Sequence, residues 1–203
     1  MIGIIDYGMG NVGSLINMVE RLGWFAEIIT APEDLKKADK LILPGVGSFD
    51  NGVNRLKENN LWESLNYKVL IEKTPVLCIC LGMQLITKRS EEGQLSGLGW
   101  IDGECLRFSF DDPAIKIPHM GWNSVRFRKD SVLKSFIPED PRFYFVHSYY
   151  VKCNEQSDVL AITHYDLDFI SMIEKDNIYA TQFHPEKSHK YGMGLIKGFI
   201  ELC

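Results

Sequence analysis

The sequence predicts an α/β fold with a central, mostly parallel sheet flanked by helices. Three observations carry this. Short, continuous apolar runs alternate with helical stretches through the first half of the chain. Strands covered on both faces read this way, and parallel strands need helical crossovers. Apolar residues make up 45% and charged residues 24% of 203 residues, an ordinary globular balance that argues against disorder. No internal repeat, low-complexity tract or linker interrupts the chain, so one domain over 1–203 is expected.

The elements follow in order. Residues 2–6 are a short apolar run stopped by Tyr7-Gly8-Met9-Gly10. Val12, Leu15, Ile16, Val19 and Leu22 recur at helical spacing until Gly23. Residues 26–30 read as a second strand and Lys40–Leu43 as a third, ended by Pro44-Gly45-Val46-Gly47. Helical stretches are expected around 52–58 and 61–73. Pro75 then precedes Val76-Leu77-Cys78-Ile79-Cys80, a continuous apolar strand, and a helix over 81–88. From Trp100 to about Gln182 the signals are short strands with polar loops, at 103–108, 124–127, 143–146, 159–163 and 178–183. These predict an additional small antiparallel sheet. Residues 188–202 close the chain as a helix striped by Ile196, Phe199 and Ile200, with Ser188 as N-cap.

Charge and cysteine usage narrow the function classes. Lys and Arg number 22 against 27 Asp and Glu, a net charge of −5. That balance carries no footprint for nucleic acid or an anionic membrane. No apolar run approaches the ~18 residues of a membrane-spanning helix. The five cysteines, at 78, 80, 105, 153 and 203, form neither a CxxC pair nor a zinc spacing. The opening residues lack the basic segment of a secretion signal. A cytoplasmic protein with reduced thiols is expected, with no metal and no organic cofactor.

In parallel sheets, ligands bind outside the carboxyl ends of the strands, and three segments fall there. Cys80 ends an apolar strand and begins a helix, where backbone N–H groups and the helix dipole stabilise a thiolate. The turn Cys78-Ile79-Cys80-Leu81-Gly82 follows the small-x-nucleophile-x-Gly pattern of a sharp nucleophile turn. The rival reading is a pair of small buried core cysteines. A thiol nucleophile needs a base, and the base an orienting group. Among His119, His147, His164, His184 and His189, spacing alone does not choose. His184 is the one fixed by a proline and followed two residues later by a carboxylate, Glu186. Pro44-Gly45-Val46-Gly47 can present backbone N–H groups to an oxyanion. It is not a phosphate loop, since no Gly-Lys-Ser/Thr follows.

These segments, in this order, resemble the class I (triad) glutamine amidotransferases, with Cys80, His184 and Glu186 at the positions of the triad. Residues 5–11, Pro118-His119-Met120-Gly121-Trp122-Asn123, Phe145-Val146-His147-Ser148-Tyr149 and Gln182-Phe183-His184-Pro185-Glu186-Lys187-Ser188 extend the match across the chain. Together they are similar to the branch of that family serving as glutaminase subunits of imidazole glycerol phosphate synthases. The resemblance implies the class I amidotransferase fold and hydrolysis of L-glutamine. It places oxyanion donors on the backbone of Val46, Gly47 and Leu81, and substrate contacts at Gly47, Gln84, Ser148 and Tyr149. It also implies a heterodimer with a (β/α)8-barrel cyclase, contacted by His119, Met120, Trp122 and Asn123. The family usually has glycine two residues before the nucleophile. Cys78 stands there, and a second thiol beside the first would permit oxidative side chemistry. Two other readings stay open. Residues 89–95 and 186–193 resemble paralogues that feed ammonia to an ATP-dependent sugar amidotransferase in surface-polysaccharide synthesis. Cys78 would also suit a catalytically silent binding subunit on the same fold. A flavodoxin-like module fits the first half but leaves the His-Pro-Glu turn unexplained.

Overall fold

A computed structural model describes all 203 residues. The first half runs β1 (Ile2–Ile5), α1 (Val12–Arg21), β2 (Ala26–Ile29), β3 (Lys40–Leu43), α2 (Phe49–Glu58), α3 (Leu61–Asn66), β4 (Val76–Ile79), α4 (Leu81–Leu85) and β5 (Arg89–Ser90). The second half adds β6 (Gly103–Arg107), β7 (His119–Ser124), β8 (Arg126–Phe127), β9 (Arg142–His147), β10 (Tyr149–Cys153), β11 (Val159–Tyr165), β12 (Leu167–Lys175), β13 (Ile178–Thr181) and α5 (His189–Leu202).

One mixed sheet organises the molecule, in the order β2-β1-β3-β4-β13-β12-β10-β6-β5, with β11 on β12 and β8 on β11. The strands from β2 to β13 are parallel. From β13 onward the main path turns antiparallel through β12, β10 and β6. The apolar alternation of the parallel strands explains the layering. Ile5, Leu41, Leu43, Val76, Cys78 and Ala180 face α2 and α3 in one core. Ile2, Ile4, Ile42, Leu77, Ile79 and Tyr179 face α1 and α5 in the other. Asn11 starts α1 by accepting from the Ser14 amide, and Gly23, at φ +84°, lets the chain leave it.

The expected small antiparallel sheet is the pair β7 and β9, and the other second-half strands extend the main sheet. Several finer expectations are corrected. The expected strand at 124–127 is split: Ser124 ends β7, the Val125 amide bonds to Pro141, and β8 joins β11. β10 and β12 have no counterpart in the sequence reading, because Lys152, Asp168 and Glu174 interrupt their apolar pattern. The helix expected over 81–88 stops at Leu85. There the Thr87 hydroxyl donates to the Gln84 carbonyl and the Lys88 amide turns to Gly103. The helix expected over 61–73 is α3 followed by a wider π turn at Tyr67–Ile71. Ser188 precedes α5 but does not cap it. Its hydroxyl donates to the His184 carbonyl and accepts from the Tyr144 amide.

Candidate active site

β3, β4 and β13 are neighbours and parallel, with Leu43 beside Cys78 and Ile79 beside Thr181. Their carboxyl ends therefore open side by side, and the segments after them meet. They line a cavity of about 260 Å³ with Val46, Gly47, Cys80, Leu81, Gln84, Ser148, Tyr149 and His184 on its walls. A larger groove of about 830 Å³, lined by Pro32, Leu35, Tyr67 and Ile71, brings none of these groups together.

Cys80 occupies the sharpest point of the β4–α4 turn. Its backbone sits at φ +54°, ψ −106°, costly for any residue but glycine. Bonds on both sides hold it there: its amide donates to the Thr181 carbonyl at 2.7 Å, and its carbonyl accepts from the Gln84 amide. Gly82 allows the turn to close, since a Cβ there would sit 2.1 Å from the Leu43 carbonyl oxygen. The turn also separates the two thiols. Cys78 packs into the core beside α2 and α3, whereas the left-handed step carries Cys80 to the opposite one. Burial pushes the Cys78 thiol well up and keeps it in its inert, protonated form. Oxidative chemistry through Cys78, expected from its place in the sequence, has no support in this arrangement.

His184 is 1% exposed. A bridge to β9 positions it, with its amide on the Tyr144 carbonyl. Nδ1 lies 2.7 Å from Glu186 Oε1, and Nε2 is buried without a hydrogen-bond partner. Burial disfavours the imidazolium, but the Cys80 and Glu186 side chains more than offset it, and the histidine is pushed up to about 10. The site thus favours the imidazolium form of His184, held against Glu186 and facing Cys80.

The turn expected to carry the oxyanion donors is bonded to its own surroundings. Tyr7 donates from its buried hydroxyl to the Pro44 carbonyl at 2.8 Å. Gly45 is required there, since a Cβ would meet that hydroxyl at 2.5 Å. The Leu81 amide, expected to face an oxyanion, instead donates to the Gly45 carbonyl at 3.3 Å. Leu81 is therefore not a free donor in this conformation. Val46 is half-exposed, and Gly47 takes φ +125°.

Gln84 is almost buried, and its amide nitrogen donates to the Tyr149 carbonyl at 3.2 Å and to Gln182 Oε1 at 3.4 Å. It lines the cavity, yet both partners of its nitrogen belong to the fold. The Tyr149 carbonyl also accepts from His147 Nδ1 at 2.8 Å. A carbonyl only accepts, so His147 carries its proton on Nδ1 and leaves Nε2 to accept from His119 Nδ1 at 3.0 Å. His119 Nε2 then accepts from the Asn123 amide at 3.2 Å. Burial pushes His119 down to about 4 and His147 down to about 3, so both are neutral.

β7 therefore divides the expected docking residues. Met120 and Trp122 are 61% and 40% exposed, and Trp122 stacks on His189 at 5.5 Å. Asn123 is half-buried. His119 is 3% exposed and belongs to the interior network, which corrects its assignment to the surface. Three further residues join the site. Gln182, fully buried, donates to Cys80 Sγ at 3.8 Å. Glu92 brings a carboxylate to the cavity and accepts from the Phe49 amide, and Lys187 also lines it. Gln182 lies two residues before His184 and Tyr7 in the opening motif, where proximity could have marked them. Glu92 arrives from the segment 89–95, whose resemblance to the paralogues marked the stretch but not this residue's place at the cavity.

A strained thiol at a strand–helix turn of an α/β fold, with a carboxylate-held imidazole beside it, is the constellation that cysteine-nucleophile enzymes use. The chain belongs to the class-I glutamine amidotransferase family, whose model matches residues 3–202. A relative from Methanococcus maripaludis, imidazole glycerol phosphate synthase subunit HisH 2, is 55% identical over 201 residues, covering 99% of both chains. The HisH subunit of Leptospira borgpetersenii is 45% identical over the full length of both. A solved glutamine amidotransferase superposes with a TM-score of 0.77 over 99% of this chain and 97% of its own, at 18% identity.

Proposed function

We propose that this chain, as one domain over 1–203, is the glutaminase subunit of an imidazole glycerol phosphate synthase. The observation that carries the chemistry is His184, buried against Glu186 and raised by it and by Cys80. The partner reading rests on the names of the full-length relatives. The proposed site is a cytoplasmic complex with the cyclase subunit. No helix is long and apolar enough to cross a membrane.

The Cys80 thiolate attacks the side-chain carboxamide carbon of L-glutamine. The electron pair of the carbonyl moves to its oxygen, and His184 Nε2–H protonates the departing ammonia as the C–N bond breaks. The resulting thioester is cleaved by water, whose proton returns to His184, releasing glutamate and the thiolate. Glu186 keeps the imidazole aligned. Glu92 is the anion available for the substrate's α-ammonium, and Gln84 offers its carboxamide oxygen. Ser148, Tyr149 and the Gly47 backbone complete the walls.

The oxyanion needs donors that this conformation withholds. Turning the Gly45–Val46 peptide removes the Gly45 carbonyl from Leu81 and swings the Val46 N–H inward. Exposed Val46 offers a docked cyclase a hold on that turn, and exposed Met120 and Trp122 offer it an apolar surface on β7. The test is ammonia release from glutamine by the chain alone and with the cyclase of its own organism, with Cys80→Ala as control. Turnover that requires the cyclase and is lost in the variant supports the proposal. Partner-independent turnover without complex formation overturns it and redirects the search to a sugar amidotransferase. No turnover in either setting points to a silent subunit.

A further inference from the structure

Gln182 is wholly buried, and a buried carboxamide is costly unless its polar atoms are bonded. Its backbone amide is committed to Ser171, which is ordinary strand pairing. Its side chain is different. The oxygen accepts from Gln84 Nε2, and the nitrogen has one partner, Cys80 Sγ at 3.8 Å.

The orientation of this amide follows from chemistry. Nitrogen and oxygen of a carboxamide look alike in shape, so the network must decide. The Tyr149 carbonyl can only accept, which places the Gln84 nitrogen against it. The same nitrogen reaches Gln182 at 3.4 Å, so Gln182 must present its oxygen to Gln84. Its N–H groups are thereby turned to the sulfur. The reverse orientation would set two amide nitrogens against each other and leave an acceptor facing the thiolate.

The geometry points to Gln182 as a positioning residue for the nucleophile: its carboxamide, held by Gln84 and the Tyr149 carbonyl, donates to the Cys80 sulfur and stabilises and aims the thiolate. A hydrogen bond to a charged acceptor is stronger than one to a neutral acceptor and shortens as the charge develops. The thiol tolerates the present 3.8 Å, and ionisation draws the amide in. Gln84 thereby acts through Gln182, as the link that sets its direction. The inference rests on Cys80 being the nucleophile of the proposed reaction. The test reads the sulfur itself, so it can fail while glutamine hydrolysis stands.

The experiment is alkylation of Cys80 by iodoacetamide in the full chain between pH 5 and 10, followed by mass spectrometry of the Cys80 peptide. Cys78 and Cys80 share one peptide, so fragmentation of that peptide assigns the label to Cys80, while Cys105, Cys153 and Cys203 lie on other peptides. Gln182→Leu removes the donor, and the isosteric Gln182→Glu replaces it with a carboxylate. The expected result in both is alkylation at pH 7 slowed about tenfold or more, with the midpoint of the pH profile moved upward. Gln84→Met, which frees the Gln182 amide to turn, produces the same change to a smaller extent. Thr181→Val supplies the comparison: its buried hydroxyl donates only to the Phe183 carbonyl, so it costs stability without moving the profile. Should Gln182→Leu not fold, Gln182→Glu carries the test. A profile in the folded variants that overlays the wild type overturns the inference, as does an equal displacement in Thr181→Val.

Discussion

Between pH 6.5 and 5, acid lowers the stability of this fold through two histidines. His119 and His147 are both buried and neutral, each satisfied by one tautomer between the Asn123 amide and the Tyr149 carbonyl. Burial depresses both below the ordinary value of 6.5, to about 4 and about 3, and His147 also faces His119 and His184. The unfolded chain therefore binds protons between pH 6.5 and 4 that the native chain refuses. In that window each histidine costs roughly 1.4 kcal/mol per pH unit. From 6.5 to 5 this is about 2 kcal/mol each, and about 4 kcal/mol for the pair. His184 has the opposite sign. Its raised value adds stability that is fully present below 6.5 and lost only as pH climbs toward about 10, so it is silent in this range. Urea unfolding followed by tryptophan fluorescence at pH 7, 6 and 5 measures the loss. His147→Gln keeps a donor for Tyr149 but cannot titrate, and should roughly halve the slope. A wild-type loss below about 1 kcal/mol between pH 7 and 5, or an unchanged slope in His147→Gln, would refute the neutral pair.

Four substitutions test the rest of the site. Cys80→Ala should abolish glutamine turnover, by about 10⁴–10⁶, while urea unfolding shows the fold retained. Glu186→Gln should lower kcat by about 10³–10⁴ with KM nearly unchanged, because the imidazole loses its orienting charge; steady-state kinetics reads this directly. Gly82→Ala should cost about 2–3 kcal/mol in urea unfolding, since its Cβ would sit 2.1 Å from the Leu43 carbonyl oxygen, a backbone atom that cannot swing aside. Cys78→Gly should cost about 1–2 kcal/mol through lost packing and added chain freedom, yet leave kcat within about threefold of wild type.

The parallel half of the fold was legible because its strands are covered on both faces. Val76-Leu77-Cys78-Ile79 is apolar without interruption, and the turn after it could be located to the residue. β12 was illegible for the opposite reason: Asp168, Ser171 and Glu174 break its apolar pattern, although it pairs with β11 and β13 on either side of it in sequence. The same division runs through the site. His184 and Glu186 are two residues apart, so local sequence could carry their pairing. The bond from Gln84 to Gln182 spans 98 residues, and the one from His119 to His147 spans 28. Such links exist only once the sheet has set β4, β10 and β13 together with β9. His119 was misplaced because Pro118-His119-Met120-Gly121-Trp122-Asn123 reads as one unit. In β7 the strand alternation sends His119 inward and Met120 and Trp122 outward.

The two halves of the site are held with very different firmness, and this bears on how it is switched. The acid–base half is locked: His184 is tied to Tyr144, Ser188 and Glu186 by bonds of 2.6 to 2.9 Å, all of them buried or partly so. The turn proposed to carry the oxyanion donors is held in its present arrangement by a 3.3 Å bond from the Leu81 amide to the Gly45 carbonyl. A neutral hydrogen bond contributes about 0.5–1.5 kcal/mol net, and Gly45 and Gly47 add little resistance to turning the peptide between them. A partner that favours the turned form by only about 3 kcal/mol would shift its population roughly a hundredfold. Exposed Val46, beside Pro118 at the mouth of the same cavity, is placed for such contact. The chain thus needs no large rearrangement to couple docking to hydrolysis. One peptide, Gly45–Val46, is all that has to turn to free the Leu81 amide.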